Sequence, residues 1–392
     1  MMPIQITDII LLVAAAQGLF LTSIIFVKFS RLYAVRFVGF LTLLYSIVLV
    51  GLIINDLGYS FRIPHIYMIF IAIPFLIGPL HFLFALHLIH PKRRIRVQDS
   101  IHFIPAILVL IFLLLNHYEN WIAFPLQSQM DKQAVLPPGL LKFNWTIALH
   151  AFFYIGLTFR LLILHSRKIK QMFSSIEKLK LNWVYLISYM ALICIIIFSF
   201  ENLMMSMGIN FSNFYMLSSI IVALYVYSFG YVVLIRSEVF TDPVINRSMN
   251  QISAQKSHIA PPPIHPKYYK SGLQRDEAIE HKQKLLQFME EEKPYRDNGL
   301  TLNQLSSMLD LSPHNLSEIL NTRVKQNFFD FVNSYRIEEV KNDLLDPEKK
   351  HLTILGIAFD AGFNSKTAFN TIFKKYVHMT PSEFRKRRTE NK

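Results

Sequence analysis

The chain has 392 residues, 40 Lys and Arg against 27 Asp and Glu, and a formal charge of +13. It is 52% apolar, with 33 Phe and 17 Tyr, more apolar surface than the core of a soluble protein requires; the excess points to lipid. One cysteine, Cys194, excludes an intrachain disulfide framework and a multi-cysteine metal site.

The apolar content is concentrated in residues 8–235. Runs of about 17 residues or more are long enough to cross a bilayer, and they fall at 8–29, 34–55, 64–90, 100–116, 143–165, 182–208 and 214–235. No Lys or Arg precedes the first run, so it is expected to remain as a span rather than be cleaved as a signal peptide. The third run carries Pro74 and Pro79, which predict a kink or tilt.

Loop charge sets the orientation. Loop one has Lys28, Arg31 and Arg36. Loop three has Lys92, Arg93, Arg94 and Arg96. Loop five has Arg167, Lys168, Lys170, Lys178 and Lys180. These twelve face three on the other side, Arg62, Lys132 and Lys142. The odd loops are therefore expected in the cytoplasm, with the N-terminus outside and the C-terminus inside.

Ionisable and polar groups within spans are costly and mark candidate sites. Glu201 and Asn202 in span six, His150 in span five and Asp56 at the end of span two are expected in the outward half, where they would line a cavity for a small-molecule or membrane signal. Interhelical hydrogen bonding is the plainer reading of the same residues. His81, His87 and His90 do not share one helical face, so no metal site is read there.

Residues 241–275 change character. Pro243, Pro261, Pro262, Pro263 and Pro266 among Gln, Ser, His and Asn predict an extended tether. A charged helix is expected from about Asp276 to just before Pro294. In TLNQLSSMLDLSPHNLSEILN, Thr301 and Gln304 fit a capping box, Asp310 and Leu311 make a turn, and Ser312 caps a second helix with Pro313 at its first position. Leu316, Ile319 and Leu320 face inward. His314, Asn315, Ser317 and Glu318 face outward, where a recognition helix meets base edges.

The pattern returns in TILGIAFDAGFNSKTAFNTIFKKY. Gly362 supplies the turn, Asn364 or Ser365 caps, and Ser365, Lys366, Thr367 and Asn370 face outward. Ser306 matches Ala358 at an offset of 52; Ser312, Leu316 and Leu320 match Ser365, Phe369 and Phe373 at 53. Between the units, Phe329, Val332, Ile337, Val340 and Leu344 share one face of a helix predicted over 328–345. Its length of about 27 Å approaches the roughly 34 Å between successive major-groove faces.

The stretches LSPHNLSEILN, NFFDFVNSYRIEEVKNDLL, IAFDAGFNSKTAFNTIFKKY and MTPSEFRK resemble the DNA-binding domain of the AraC-type (arabinose-regulator) family of bacterial transcription factors, over about 276–388. The resemblance implies double-stranded DNA and RNA polymerase as partners, a homodimer as one possible assembly, base contacts from the outward residues named above, and residence in the bacterial cytoplasmic membrane for a form with many spans. The family often has Gly where this chain has Gln326 and His378, just after each recognition helix. A left-handed residue there costs a non-glycine roughly 1 kcal/mol.

From Asp276 to Lys392 there are 18 basic and 18 acidic residues, but from Ala361 onward eight basic and two acidic. Lys374, Lys375, Arg385, Lys386, Arg387 and Arg388, with Ser312 of the first unit, are the expected phosphate-facing set.

The expected fold is all-α: a seven-helix transmembrane bundle (1–240), a Pro-rich linker (241–275) and a soluble domain of two tandem helix-turn-helix units joined by a linker helix (276–392). The expected function is a membrane-embedded transcriptional regulator without cofactor or metal. Two alternatives compete with it. One is a multi-span receptor or transporter whose cytoplasmic tail binds a protein. The other is a membrane enzyme, for which no phosphate-binding loop or nucleophile elbow speaks. A reporter fused after Ile235 should be active only in the cytoplasm; export of that fusion would overturn the orientation.

Overall fold

The computed structural model describes residues 6–29, 33–56, 70, 72–115, 138–207, 209, 212–235, 248–250, 252 and 275–390. Among these the elements are helical, with one isolated antiparallel bridge between Phe173 and Thr301. The chain divides into two compact units, one of Met1–Ile163 and Leu181–Ser253, the other of Leu164–Lys180 and Ala254–Lys392. Most of the expected tether lies outside the described residues.

The first unit holds α1 (Ile6–Phe29), α2 (Tyr33–Asp56), α3 (Pro74–Ile89), a 3-10 turn (Val97–Phe103), α4 (Ile104–Leu115), most of α5 (Pro138–Met172), α6 (Asn182–Ser206) and α7 (Ser212–Ile235). Helix α1 packs on α2 and α7, α2 on α3, and α6 on α7. Where α1 and α2 meet, a Cβ on Gly18 would run into Ser46 Oγ, so glycine permits the approach. Thr22 and Thr42 share a 2.8 Å hydrogen bond across that seam. Tyr45 and Tyr225 hydroxyls meet at 3.0 Å between α2 and α7. Large apolar side chains point outward along α1, among them Ile6, Leu12, Phe20 and Val27. An exposed apolar face on a helix whose other face is packed is the arrangement lipid stabilises.

Among the described residues four helices are long and apolar enough to cross a membrane: Ile6–Val27, Tyr33–Ile54, Phe143–Met172 and Asn182–Met204. The third and fourth expected spans appear among the described residues as shorter apolar helices, Pro74–Ile89 and Val97–Phe112; the seventh is α7, Ser212–Ile235, in which Ser219–Val232 is the described apolar stretch. The physical reasons are local. Helix α3 begins anew at Pro74, behind a turn at Ile73, where a single kinked span was expected; Pro79 lies inside it. The fourth run opens as a 3-10 turn closed by Asp99, which accepts from the Arg96 amide at 2.9 Å and pairs with Arg93. The described part of α4 then runs Ile104–Leu115, about 18 Å of helix.

The second unit contains the C-terminal end of α5, then α8 (Arg275–Glu291), α9 (Leu302–Met308), α10 (Pro313–Ile319), α11 (Phe328–Leu345), α12 (Ile354–Asp360), α13 (Lys366–Val377) and α14 (Pro381–Glu390). One core joins Leu285 and Met289 of α8 to Leu305, Leu316, Ile319 and the start of α11 at Phe328, Phe331 and Val332. The far half of α11 buries Ile337, Val340 and Leu344, and Ile357, Phe369 and Phe373 are buried in the helices beyond it. All five residues expected on the inner face of α11 are buried.

Gly362 holds the second turn at φ 97°, and a Cβ there would press on the backbone of Tyr295 and Arg296 at under 3 Å. Both the sign of φ and the backbone contact demand glycine. Gly362→Ala is expected to cost about 2 kcal/mol or more. Hydrogen exchange of the α12 and α13 amides should then speed up roughly 30-fold. Unchanged protection would show that the Tyr295–Arg296 turn yields freely.

Candidate nucleic-acid interface

Each unit is set by side-chain caps. Thr301 Oγ1 accepts from the Gln304 amide at 3.2 Å while Gln304 Oε1 accepts from the Thr301 amide at 2.8 Å, the expected capping box. Ser312 caps α10, accepting from the Asn315 amide at 3.1 Å, with Pro313 behind it. In the second unit Thr353 caps α12 through the Gly356 amide at 3.0 Å, and Ser365 caps α13 through the Ala368 amide at 3.3 Å. Of the two residues offered as caps for α13, Ser365 performs the role. Asn364 reaches Ser175 at 2.9 Å instead.

The first turn passes through Asp310 at φ 57°. Helix α10 continues into a five-residue π-helical turn, Leu320–Val324, which closes on Lys325 at φ 61°. The left-handed residue after the first recognition helix is therefore Lys325 and not Gln326, because the wider turn ends one residue earlier. After the second recognition helix it is His378, at φ 59°, as expected.

In α10, His314 is exposed and Asn315 and Ser317 are half-buried. Asn321 Nδ2 donates to the Ser317 carbonyl at 2.8 Å. The Glu318 side chain is only 17% exposed, with its carboxylate 4.0 Å from His314 Nδ1. It thus lies at the margin of the outward face. In α13, Lys366, Thr367 and Asn370 are exposed on one side, while Ala368, Phe369, Ile372 and Phe373 are buried on the other.

The basic set divides. Lys374, Lys386 and Arg387 are exposed. Lys375 pairs with Asp330 at 2.7 Å, beside Tyr376, whose hydroxyl donates to the Asp330 carbonyl at 3.0 Å. Arg385 donates to the carbonyls of Leu352 at 2.9 Å and Lys350 at 2.6 Å, holding the loop before α12. Arg388 belongs to α14, but its side chain lies outside the described residues, as does that of Asp56 in α2.

Sequence reasoning missed the residue at the centre of this unit. Arg336 is 1% exposed. Its Nε donates to the Tyr295 carbonyl at 2.7 Å and Nη2 to the Asp297 carbonyl at 2.8 Å. Nη1 and Nη2 also reach the carbonyl and hydroxyl of Ser174 at 3.3 and 3.2 Å. Asn333, fully buried, donates to the same Ser174 carbonyl at 3.1 Å. Burial holds the Arg336 guanidinium down to about 10, against the pull of Asp297 and Glu177. The signal was present: Arg336 stands on the apolar stripe of α11, between Val332 and Val340.

In the first unit, Glu201 and Asn202 are buried on α6. Asn202 accepts from Asn144 of α5 at 2.9 Å and donates to the Phe198 carbonyl. The His150 ring packs at a tilt against Phe75 and Tyr154, with ring centres 5.0 and 4.8 Å away. His81 pairs with Ser188, and His87 with the Leu83 carbonyl.

A helix-turn-helix domain family matches residues 305–387. Over 86 residues the chain is 35% identical to an HTH-type transcriptional regulator of Staphylococcus aureus (strain COL), covering 22% of this chain and 11% of that protein. Over 90 residues it is 32% identical to the melibiose operon regulatory protein of Escherichia coli (strain K12), covering 23% and 29%. The chain thus spans less than a third of the length of these relatives. No solved structure matches. The similarity to these regulators is confined to the C-terminal region, where the helix-turn-helix family matches.

Lys366→Ala and Asn370→Ala should change sequence preference by roughly 1–3 kcal/mol between duplexes, whereas Arg387→Ala should weaken all duplexes alike. Equal losses on specific and random DNA for the first two would show that α13 does not read bases.

Proposed function

We propose that this protein is a membrane-embedded transcriptional regulator that binds duplex DNA through α10 and α13. The observation that carries the reading is the repeated capped helix pair. Thr301 and Ser312 in one unit, and Thr353 and Ser365 in the other, each start a helix through a hydroxyl. The 18-residue α11 sets about 27 Å between them. That length suits two successive major-groove faces.

In this reading the apolar helices of the first unit hold the chain in a bacterial cytoplasmic membrane, with the C-terminus inside. The twelve-to-three loop charge supports that orientation. Glu201 and Asn202, buried on α6, together with His150 and Asp56, are the proposed place where a small-molecule or membrane signal acts. RNA polymerase and a second copy of the chain are its proposed partners at a promoter.

One experiment tests these assignments together. Footprinting with the membrane-embedded chain should protect about two helical turns of DNA, with salt-sensitive affinity. Glu201→Gln should change occupancy in cells at equal protein level. Protection confined to one groove would remove α13 or α10 from the reading. An unaltered response in Glu201→Gln would remove the sensing role and leave the spans as an anchor.

A further inference from the structure

The compact unit that carries the DNA-binding helices also contains a piece from the middle of the sequence, Leu164–Lys180. This piece ends α5, the helix that includes the candidate span Phe143–Met172, and continues through the fifth loop. It carries five basic residues, Arg167, Lys168, Lys170, Lys178 and Lys180, yet its middle is packed. Phe173, Ser174, Ile176 and Leu179 are buried, Ser174 and Ile176 at 1% exposure. The loop folds back on its own helix, with His165 Nε2 at 3.1 Å from the Leu179 carbonyl.

Its contacts reach three parts of the DNA-binding region. Phe173 bridges to Thr301, and the Ser174 amide and hydroxyl both donate to the Leu300 carbonyl, at 3.2 and 2.7 Å, just before the first unit. Asn333 and Arg336 of the connecting helix donate to the Ser174 carbonyl. Ser175 Oγ accepts from Asn364 at 2.9 Å, one residue before the cap of α13, and itself donates to the Glu177 carboxylate at 2.9 Å. The loop is therefore hydrogen-bonded to both units and to the helix between them.

Two consequences follow. A helix-turn-helix meets DNA with the N-terminal residues of its recognition helix, and phosphates gather at such ends. In the docked state the Asn364 amide group is already used by Ser175. The Glu177 carboxylate, bonded to that serine, adds negative charge where phosphate would come. The same loop also ties the approach to α9 to the approach to α13, so the spacing of the two recognition helices is held by a segment outside the DNA-binding sequence.

We propose that Phe173–Glu177 is an autoinhibitory hook: docked, it holds the DNA-binding unit in a low-affinity state, and withdrawal of the loop on α5 releases it. This inference rests on the DNA-binding reading above. It gives the membrane part a route to the DNA through chain continuity at α5, independent of the long tether at 241–275.

The test uses the full chain in lipid nanodiscs, with Cys194→Ser to remove the native thiol, and a duplex selected from a random pool by the parent chain. Ser175→Cys and Asn364→Cys together should form a disulfide under mild oxidation. The oxidised protein should bind the duplex at least tenfold more weakly than the same protein after reduction. Separately, Ser174→Ala with Glu177→Gln should tighten binding about fivefold, since it removes two hydrogen bonds of the docked state and its acid. Failure of the cysteine pair to cross-link would overturn the docking. A cross-linked protein that binds as well as the reduced one would overturn the inhibition and leave the loop a passive strut. A parent chain that selects no duplex at all would instead defeat the DNA-binding reading, and the hook with it.

Discussion

The second unit is organised around one buried charge. Arg336 sits in the middle of α11 with its N–H groups directed at the carbonyls of Tyr295, Asp297 and Ser174, the Ser174 hydroxyl and Asn333 Oδ1. None of these is a carboxylate. A guanidinium out of water is tolerable when its donors are satisfied, and several aligned carbonyl dipoles supply what a counter-ion would. Removing one side of such an arrangement costs about 3–5 kcal/mol, because the groups left behind stay buried. Arg336 therefore fixes three chain segments that are distant in sequence: the turn before the first unit, the connecting helix and the loop after α5. Gly362 packs under the same turn at Tyr295 and Arg296, so the second unit is registered against it as well.

Around that centre the recognition helices are set by short-range chemistry. Hydroxyl caps start them, and residues with positive φ end the turns and helices around them: Asp310, Lys325, Gly362 and His378. Three of these four are not glycine, each at a cost of roughly 1 kcal/mol. The π-helical turn at Leu320–Val324 widens the first helix end before Lys325. The two units thus share a plan but differ at their exits. Helix α13 runs 12 residues, whereas α10 is 7 residues before its wider turn. From Ala361 onward the chain also carries eight basic residues against two acidic.

Much of this was legible in the sequence, and the reason is locality. Capping boxes, N-terminal Pro and apolar periodicity act within one or two turns, so Thr301–Gln304, Ser312–Pro313 and the inner face of α11 could be read directly. The helix expected near 276–293 is α8, Arg275–Glu291, for the same reason. What was not legible is non-local. Ser174 lies more than 150 residues from Arg336 in the chain, and nothing in its own neighbourhood marks it as a partner. Lys375 and Arg385 read as phosphate-facing by composition alone; their partners, Asp330 and the carbonyls of Lys350 and Leu352, come from other helices and loops. In the apolar part, hydropathy located the runs but not where a helix restarts. Pro74 and the 3-10 turn at Val97–Phe103 divide what composition presents as continuous.

The charge balance bears on how such a domain works when tethered. With 18 basic and 18 acidic residues from Asp276 onward, few phosphates are neutralised, and non-specific affinity, which grows with released counterions, stays low. A strongly basic domain fixed beside a membrane would hold whatever DNA drifted near. A neutral one would let DNA pass and, in the proposed reading, rely on base contacts from α13 and α10 to retain a site. The same neutrality suits a hook held by the Arg336 guanidinium and by neutral hydrogen bonds, with a single acid. The docked state then does not have to outcompete a large electrostatic pull, and its release is set by what replaces Ser174 at Arg336 and Asn333.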